Sequence, residues 1–97
     1  MKRVLVVEDE LHLAEGLRFN LEQEGYEVEL VDNGEAALER LIGPGRTAFD
    51  IVVLDVMLPG KNGFAVVSEL RHAGEYTPTL ILTARGHSED VLQGFAA

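Results

Sequence analysis

The chain has 97 residues, enough for one domain, and its 46% of hydrophobic residues is typical of a protein with a packed core. A formal net charge of −9 argues against nonspecific nucleic-acid binding, and the lack of cysteine excludes disulfides and thiolate metal sites. No apolar stretch approaches the roughly 20 residues that span a bilayer, and the apolar run near the N-terminus is too short for a signal peptide. We therefore expect a cytoplasmic domain.

The chain opens with a strand pattern that is followed by a helix pattern. Residues 3–7 form a short Val-rich run that is typical of a buried strand. Apolar residues at helical spacing predict a helix over 10–24, with Asp9 as a candidate N-cap and Gly25 just beyond its end. The residues of this helix that we expect to face the core are Leu13, Leu17 and Leu21.

Two further strands enclose a second helix. Residues 26–31 alternate apolar and acidic side chains, as a half-exposed strand does. Apolar spacing over 36–42 predicts a helix, which the Gly-Pro-Gly at 43–45 ends. Residues 49–55 are apolar nearly throughout, which is typical of a central strand that is covered on both faces.

The last part of the chain repeats the same alternation. A helix is predicted from about 64 to 73, and residues 77–84 read as a fourth strand with Pro78 near its start. Residues 87–97 are predicted to be helical, with Ser88 as a candidate N-cap.

Alternating strands and helices predict an α/β fold with a doubly wound parallel sheet. Functional residues of such folds lie beyond the carboxyl ends of the strands. The residues at those positions are Glu8 and Asp9 after the first strand, Asp55 at the end of the third, and Thr83 and Ala84 at the end of the fourth. We expect the site among these five.

Three of these residues are acidic and should lie close together if the strands follow the order 2-1-3-4, the commonest for a small sheet of this kind. Two unit charges about 4 Å apart repel by about 4 kcal/mol at an effective dielectric constant near 20. A cluster of Glu8, Asp9 and Asp55 therefore needs a bound cation or a raised pKa. Oxygen ligands with open positions suit Mg²⁺. The alternative is that these acids are solvated helix caps.

The motifs VVEDE at 6–10, VLDVMLPGKNGF at 53–64 and LTAR at 82–85 resemble those of the receiver domain of two-component response regulators. The resemblance extends over residues 1–97 and implies a flavodoxin-like receiver fold with strand order 2-1-3-4-5. The variants MLPG and LTAR resemble the subfamily whose output is a winged-helix DNA-binding domain.

The resemblance implies a role for each acidic residue. Asp55 matches the phosphoacceptor, which would take a phosphoryl group from a sensor histidine kinase or a small acyl phosphate. Asp9 matches a direct Mg²⁺ ligand, Glu8 a ligand that acts through water, and the main-chain carbonyl of Met57 the third protein ligand. An output that controls transcription and a homodimer are further implications, and no membrane partner is expected.

The resemblance also implies roles for the end of the fourth strand. Thr83 matches the switch hydroxyl, and the N–H of Ala84 matches a second phosphoryl contact. Without the motif, Thr83 would read as an ordinary β-branched strand residue. Pro59, Gly60 and Gly63 match the sharp turn that brings the loop over the phosphoacceptor.

One departure from the family is visible in the sequence. Receivers continue into a fifth strand, which ends in a Lys that contacts the phosphoryl group, and a fifth helix; we expect neither element nor the Lys within residues 1–97. The fourth strand would then be an apolar edge, at which strands pair with other chains. We therefore expect an incomplete receiver that tends to self-associate there.

Three functions fit the residues. The first is a phosphorylation-driven signalling switch without substrate turnover, apart from self-phosphorylation by small donors and slow autodephosphorylation. The second is a phosphorylation-independent interaction module, which the expected lack of the Lys favours. The third is a Mg²⁺-dependent phosphohydrolase, which Met57 disfavours because it cannot act as a general acid two residues after Asp55.

Overall fold

The computed structural model describes residues 1–58, 61–82 and 92–96, and it describes the last of these ranges by its backbone alone. Helices and strands alternate through most of the chain, as predicted. The elements are β1 (Arg3–Val7), α1 (Leu11–Gln23), β2 (Glu27–Val31), α2 (Gly34–Ile42), β3 (Ile51–Asp55), α3 (Gly63–His72), β4 (Thr79–Leu82) and β5 (Leu92–Ala96). None of the helices in these ranges has the length and hydropathy needed to cross a bilayer.

The strands form one sheet in the order β2-β1-β3-β4-β5, in which the first four are parallel. This arrangement confirms the predicted order 2-1-3-4 and the doubly wound α/β class. Val7 lies opposite Val31 on one side and Leu54 on the other, and Asp55 lies opposite Leu82. The carboxyl ends of β1 and β3 are therefore neighbours at one edge of the sheet.

The two faces of the sheet carry separate hydrophobic clusters. The larger one packs β1 and β3 against α2 and α3 and includes Leu5, Leu54 and Leu70, all fully buried. The smaller one packs Val4, Val6 and Val53 against α1. Because β1 and β3 have buried residues on both faces, their sequences are apolar throughout rather than alternating.

Helix α1 differs from its prediction in two details. Its N-cap is Glu10, whose carboxylate accepts a hydrogen bond from the Leu13 N–H at 2.9 Å, and Asp9 is not the cap. Leu17 and Leu21 pack on the smaller cluster as predicted, but Leu13 is exposed and Ala14 is buried in its place. A helix advances 100° per residue, so the strict i, i+4 stripe drifts off the face that meets the sheet.

The other boundaries shift by a few residues. Helix α2 begins at Gly34, because Asn33 caps it by accepting from the Ala36 N–H at 2.7 Å. Strand β3 begins at Ile51, and the preceding Asp50 ties its start to β1, since the Asp50 carboxylate accepts from the Arg3 N–H at 2.7 Å. Helix α3 begins at Gly63, because Asn62 caps it from the Ala65 N–H.

The predicted helix over 87–97 is wrong over the part that the structure describes. Residues 92–96 form β5, which pairs antiparallel with β4 and places Leu80 opposite Phe95. The expectation that the fourth strand is a free apolar edge is therefore wrong as well. The expected lack of the receiver's own fifth strand, with its Lys, stays a prediction, because β5 runs antiparallel to β4. Unpaired backbone groups at a sheet edge favour pairing, and this long-range contact outweighs the local helical pattern.

The core supports a direct stability test. Replacing Leu54 by Ala should destabilise the fold by about 2–5 kcal/mol, because it opens a cavity at the centre of the larger cluster. Replacing Leu11, which is 64% exposed on α1, by Ala should change the free energy of unfolding by about 0.5 kcal/mol or less. Urea unfolding measures both changes. Equal losses for the two variants would contradict the assignment of the core.

Candidate functional site

The three acidic side chains singled out in the sequence come together at the carboxyl edge of the sheet. Glu8 and Asp9 directly follow β1, and Asp55 is the last residue of its neighbour β3. One carboxylate oxygen from each lies within 4.8 Å of the others. Glu8 and Asp55 are only 6% and 5% exposed, whereas Asp9 is open to solvent. The site therefore combines two buried carboxylates with one accessible carboxylate.

Main-chain hydrogen bonds fix the two buried carboxylates. The Glu10 N–H donates to Glu8 Oε2 at 2.9 Å, and the Met57 N–H donates to Asp55 Oδ1 at 3.0 Å. The sheet ladder continues one residue beyond each strand, since the N–H groups of Glu8 and Val56 donate to the Val31 and Leu82 carbonyls, each at 3.0 Å. These bonds leave little freedom for the carboxylates to separate, so their proximity is a fixed property of the fold.

The electrostatic consequence appears at Glu8. Burial raises the pKa of Glu8 to about 7; the Asp55 carboxylate and, to a smaller extent, Asp9 also raise it, and the Glu10 N–H opposes the shift. Near neutral pH without a cation, the cluster therefore holds a proton for part of the time. Repulsion among the acids is relieved by that proton or by a positive ligand.

The cluster fits a hard divalent cation. Its donors are oxygen atoms from three carboxylates in a space of a few ångströms, which is the chemistry of a Mg²⁺ site that keeps several waters. In the described part of the chain, Lys61 is the nearest basic residue in sequence to Asp55, and its ammonium group pairs with Glu69 on α3. Lys61 therefore already has an acidic partner outside the cluster.

The loop after β3 turns sharply because Gly63 has no side chain. A Cβ atom at Gly63 would lie 2.8 Å from the Asp55 carbonyl oxygen and 2.9 Å from the Val56 Cα, distances that folded proteins do not tolerate. The Gly63 N–H donates to the Val56 carbonyl at 3.1 Å and closes the turn. This explains the glycine of the Asn-Gly pair in the motif.

The remaining predicted residues divide into two groups. Met57 lies next to the site with its side chain 52% exposed, and its N–H contacts Asp55, while the metal role of its carbonyl stays a prediction. Thr83 and Ala84 lie outside the described residues, as do Pro59 and Gly60. Their predicted roles therefore also stay predictions.

Two contributors to the site did not emerge from the sequence. Glu10 supplies both the N–H that holds Glu8 and the carboxylate that caps α1. Gly34 lies close to the main chain of the loop after β3. In the sequence, Glu10 is one acid in an acidic run and Gly34 is part of a turn, and neither pattern indicates which groups these residues contact.

Comparisons with known proteins agree with this geometry. Residues 4–97 match the response regulator receiver domain family. The response regulator protein PmrA of Pseudomonas aeruginosa is 42% identical over 92 residues, which are 95% of this chain and 40% of that protein. The transcriptional regulatory protein TcrA of Mycobacterium tuberculosis is 45% identical over 95% of this chain and 35% of that protein. The chain thus spans about 40% of the length of the curated relatives that it matches.

Solved structures give the same result. The response regulator TrrA of Thermotoga maritima, in complex with Mg²⁺-BeF, superposes with a TM-score of 0.80 at 39% identity, over 90% of this chain and 73% of that one. The non-phosphorylated HemR receiver domain of Leptospira biflexa has a TM-score of 0.74 at 39% identity, over 92% and 69%. A strand order of 2-1-3-4, a carboxylate cluster at the strand ends and a family match over residues 4–97 lead to one conclusion: the chain belongs to the response regulator receiver domain family.

Proposed function

We propose that the chain is the phosphoacceptor switch of a two-component phosphorelay, in which Asp55 takes a phosphoryl group from a sensor histidine kinase. The observation that carries this proposal is the buried Asp55 carboxylate, which lies within 4.8 Å of two other acids at adjacent strand ends. TrrA, 39% identical to this chain, has been solved with the histidine kinase ThkA and with Mg²⁺-BeF, which supports the same partner and metal here.

The described residues have distinct parts in the reaction. The Asp55 carboxylate acts as the nucleophile: its oxygen forms a bond to phosphorus while the phosphorus–nitrogen bond to the kinase's phosphohistidine breaks, which gives an aspartyl phosphate and releases the donor histidine. The Met57 N–H restrains its rotation by binding Oδ1. Asp9, Glu8 and the Met57 carbonyl would hold Mg²⁺ beside it. The metal would neutralise negative charge on the transferred group, which is the main requirement of phosphoryl transfer.

Phosphorylation then shifts a conformational equilibrium. In this proposal Thr83 and the Ala84 N–H bind the phosphoryl oxygens and move the loop that follows β4. Going from 1:99 to 99:1 takes about 5.5 kcal/mol, and charge-assisted hydrogen bonds contribute roughly 1.5–3 kcal/mol each. Two to four such bonds are therefore enough to drive the switch.

The output is proposed from the relatives. Several of them are named transcriptional regulatory proteins and are more than twice as long as this chain, which supports a DNA-binding output elsewhere in the protein. The domain serves signalling rather than metabolic turnover, with self-phosphorylation from small donors and slow autodephosphorylation as its only reactions. A cytoplasmic location and a homodimer complete the proposal.

The metal site can be tested with one isosteric substitution. Asp9→Asn should weaken Mg²⁺ binding by about 10- to 150-fold, because a charge-assisted contact contributes roughly 1.5–3 kcal/mol. The control Glu22→Gln removes the same charge from the exposed surface of α1 and should leave the affinity within about twofold. Calorimetric titration measures both affinities. Equal affinity in wild type and Asp9→Asn would remove the site as described.

The phosphoacceptor can be tested by labelling with acetyl phosphate and Mg²⁺. Asp55→Asn should abolish the mass increase of one phosphoryl group, because an amide is not a nucleophile for this transfer. The control Asp50→Asn changes an exposed aspartate just before β3, at the end of the strand opposite the cluster, and should label as the wild type does. Labelling that persists in Asp55→Asn would contradict the assignment. A wild type that binds Mg²⁺ but never labels would favour a phosphorylation-independent interaction module.

The raised pKa of Glu8 predicts a pH dependence of metal-free stability. The folded state holds the Glu8 proton up to a pKa of about 7, whereas the unfolded state releases it near 4.5. The stabilisation of the folded state by the Glu8 proton is therefore fully present below pH 4.5 and is lost as the pH rises through 7. In the presence of a chelator, the unfolding free energy of the wild type minus that of Glu8→Gln should decrease as the pH rises through that window. A constant difference would contradict the shift; Glu22→Gln serves as the charge control.

A further inference from the structure

The first residue of α2 lies against the loop that follows β3. Gly34 is buried, and a Cβ atom placed on it would lie 2.8 Å from the Lys61 carbonyl oxygen and 2.8 Å from Val66 Cγ2. The Asn33 side chain fixes the start of the helix by capping the Ala36 N–H at 2.7 Å. The N-terminus of α2 therefore lies directly on the main chain of the loop.

Neither neighbour of Gly34 can easily move aside. Contacts below 3.0 Å from a Cβ atom are essentially never seen in folded proteins, so a methyl group at this position requires a displacement. The Lys61 oxygen belongs to the main chain, and Val66 is completely buried in the larger hydrophobic cluster. The side chain of Lys61 is also restrained by its ion pair with Glu69.

A displacement at Lys61 reaches the phosphoacceptor within a few residues of chain. Asn62 caps α3, and Gly63 both donates to the Val56 carbonyl and lies against the Asp55 carbonyl. The loop is thus confined between Gly34 on one side and the end of β3 on the other. A displacement of Lys61 is therefore passed through Asn62 and Gly63 to the end of β3.

We infer that Gly34 is a positioning residue for phosphoryl transfer: its missing side chain sets the position of the loop beside Asp55. This inference rests on the proposed function. Gly34 touches none of the reacting atoms and acts through the main chain of Lys61 and Gly63. The Asp-Asn-Gly of residues 32–34, which reads as a turn in the sequence, thereby gains a role in the site.

The expected effect is on rate more than on folding. Misplacing reacting groups by about 1 Å can slow a reaction about 100-fold, and relief of the contacts at Gly34 needs several tenths of an ångström. Gly34→Ala should therefore label about tenfold more slowly at saturating acetyl phosphate and Mg²⁺. Hydrogen exchange at the Met57 amide, which is bonded to Asp55 Oδ1, should change as well.

Two controls separate positioning from general destabilisation. Gly16→Ala adds the same methyl group to exposed α1, where a Cβ atom meets nothing within 4 Å, and should label at the wild-type rate. Val66→Ala weakens the core without pressing on Lys61 and should lower stability while keeping the labelling rate. The double variant Gly34→Ala with Val66→Ala relieves only the Val66 contact and should stay slow.

The outcomes decide between the readings. The inference would be overturned if Gly34→Ala had the labelling rate and the Met57 amide exchange of the wild type. Full recovery of the labelling rate in the double variant would overturn it as well. A wild-type protein that takes no label would overturn the proposed function instead. In that case the exchange at Met57, compared between Gly34→Ala and Gly16→Ala, alone decides whether Gly34 sets the loop.

Discussion

The structure depends on one electrostatic constraint, the burial of two carboxylates beside each other at the ends of β1 and β3. Parallel pairing of these strands brings Glu8 and Asp55 to the same edge, and main-chain N–H groups hold each in place. A fold stabilised by apolar packing on both faces of the sheet can tolerate this repulsion. The repulsion is then relieved by a proton on Glu8 or by a positive ligand, and the proposed function uses the second.

Steric fit at two glycines positions the described residues at the two ends of the loop after β3. Gly63 permits the turn to pass over the carbonyl of Asp55, and Gly34 permits α2 to approach from the other side. Both positions lie at the start of a helix that an asparagine caps, so the helix ends and the loop are fixed together. Two glycines thus set the backbone geometry around the Asp55 carboxylate, although neither of them contacts that carboxylate.

Much of this arrangement could be predicted from the sequence because it follows from local patterns. The Val-rich strands, their order and the meeting of Glu8, Asp9 and Asp55 all follow from alternation and from where strands end. The sequence favoured Asp9 over Glu10 as the cap, because aspartate is a preferred N-cap residue and glutamate is not, yet Glu10 caps the helix. Residues 92–96 were predicted to be helical from their local spacing, which does not show that they pair with β4, a distant segment of the chain.

The proton at Glu8 and a cation are alternative ways to neutralise the same cluster. With a pKa of about 7 for Glu8, the metal-free site lies near the midpoint of its titration at neutral pH, so neither state of Glu8 is strongly favoured. A site whose geometry depended on charge would relax whenever its neutralising group changed. Here the positions of the carboxylates depend on strand pairing and on glycine contacts, which are indifferent to charge. Because strand pairing already holds the carboxylates together, a cation bound there would not have to spend binding energy on assembling the site.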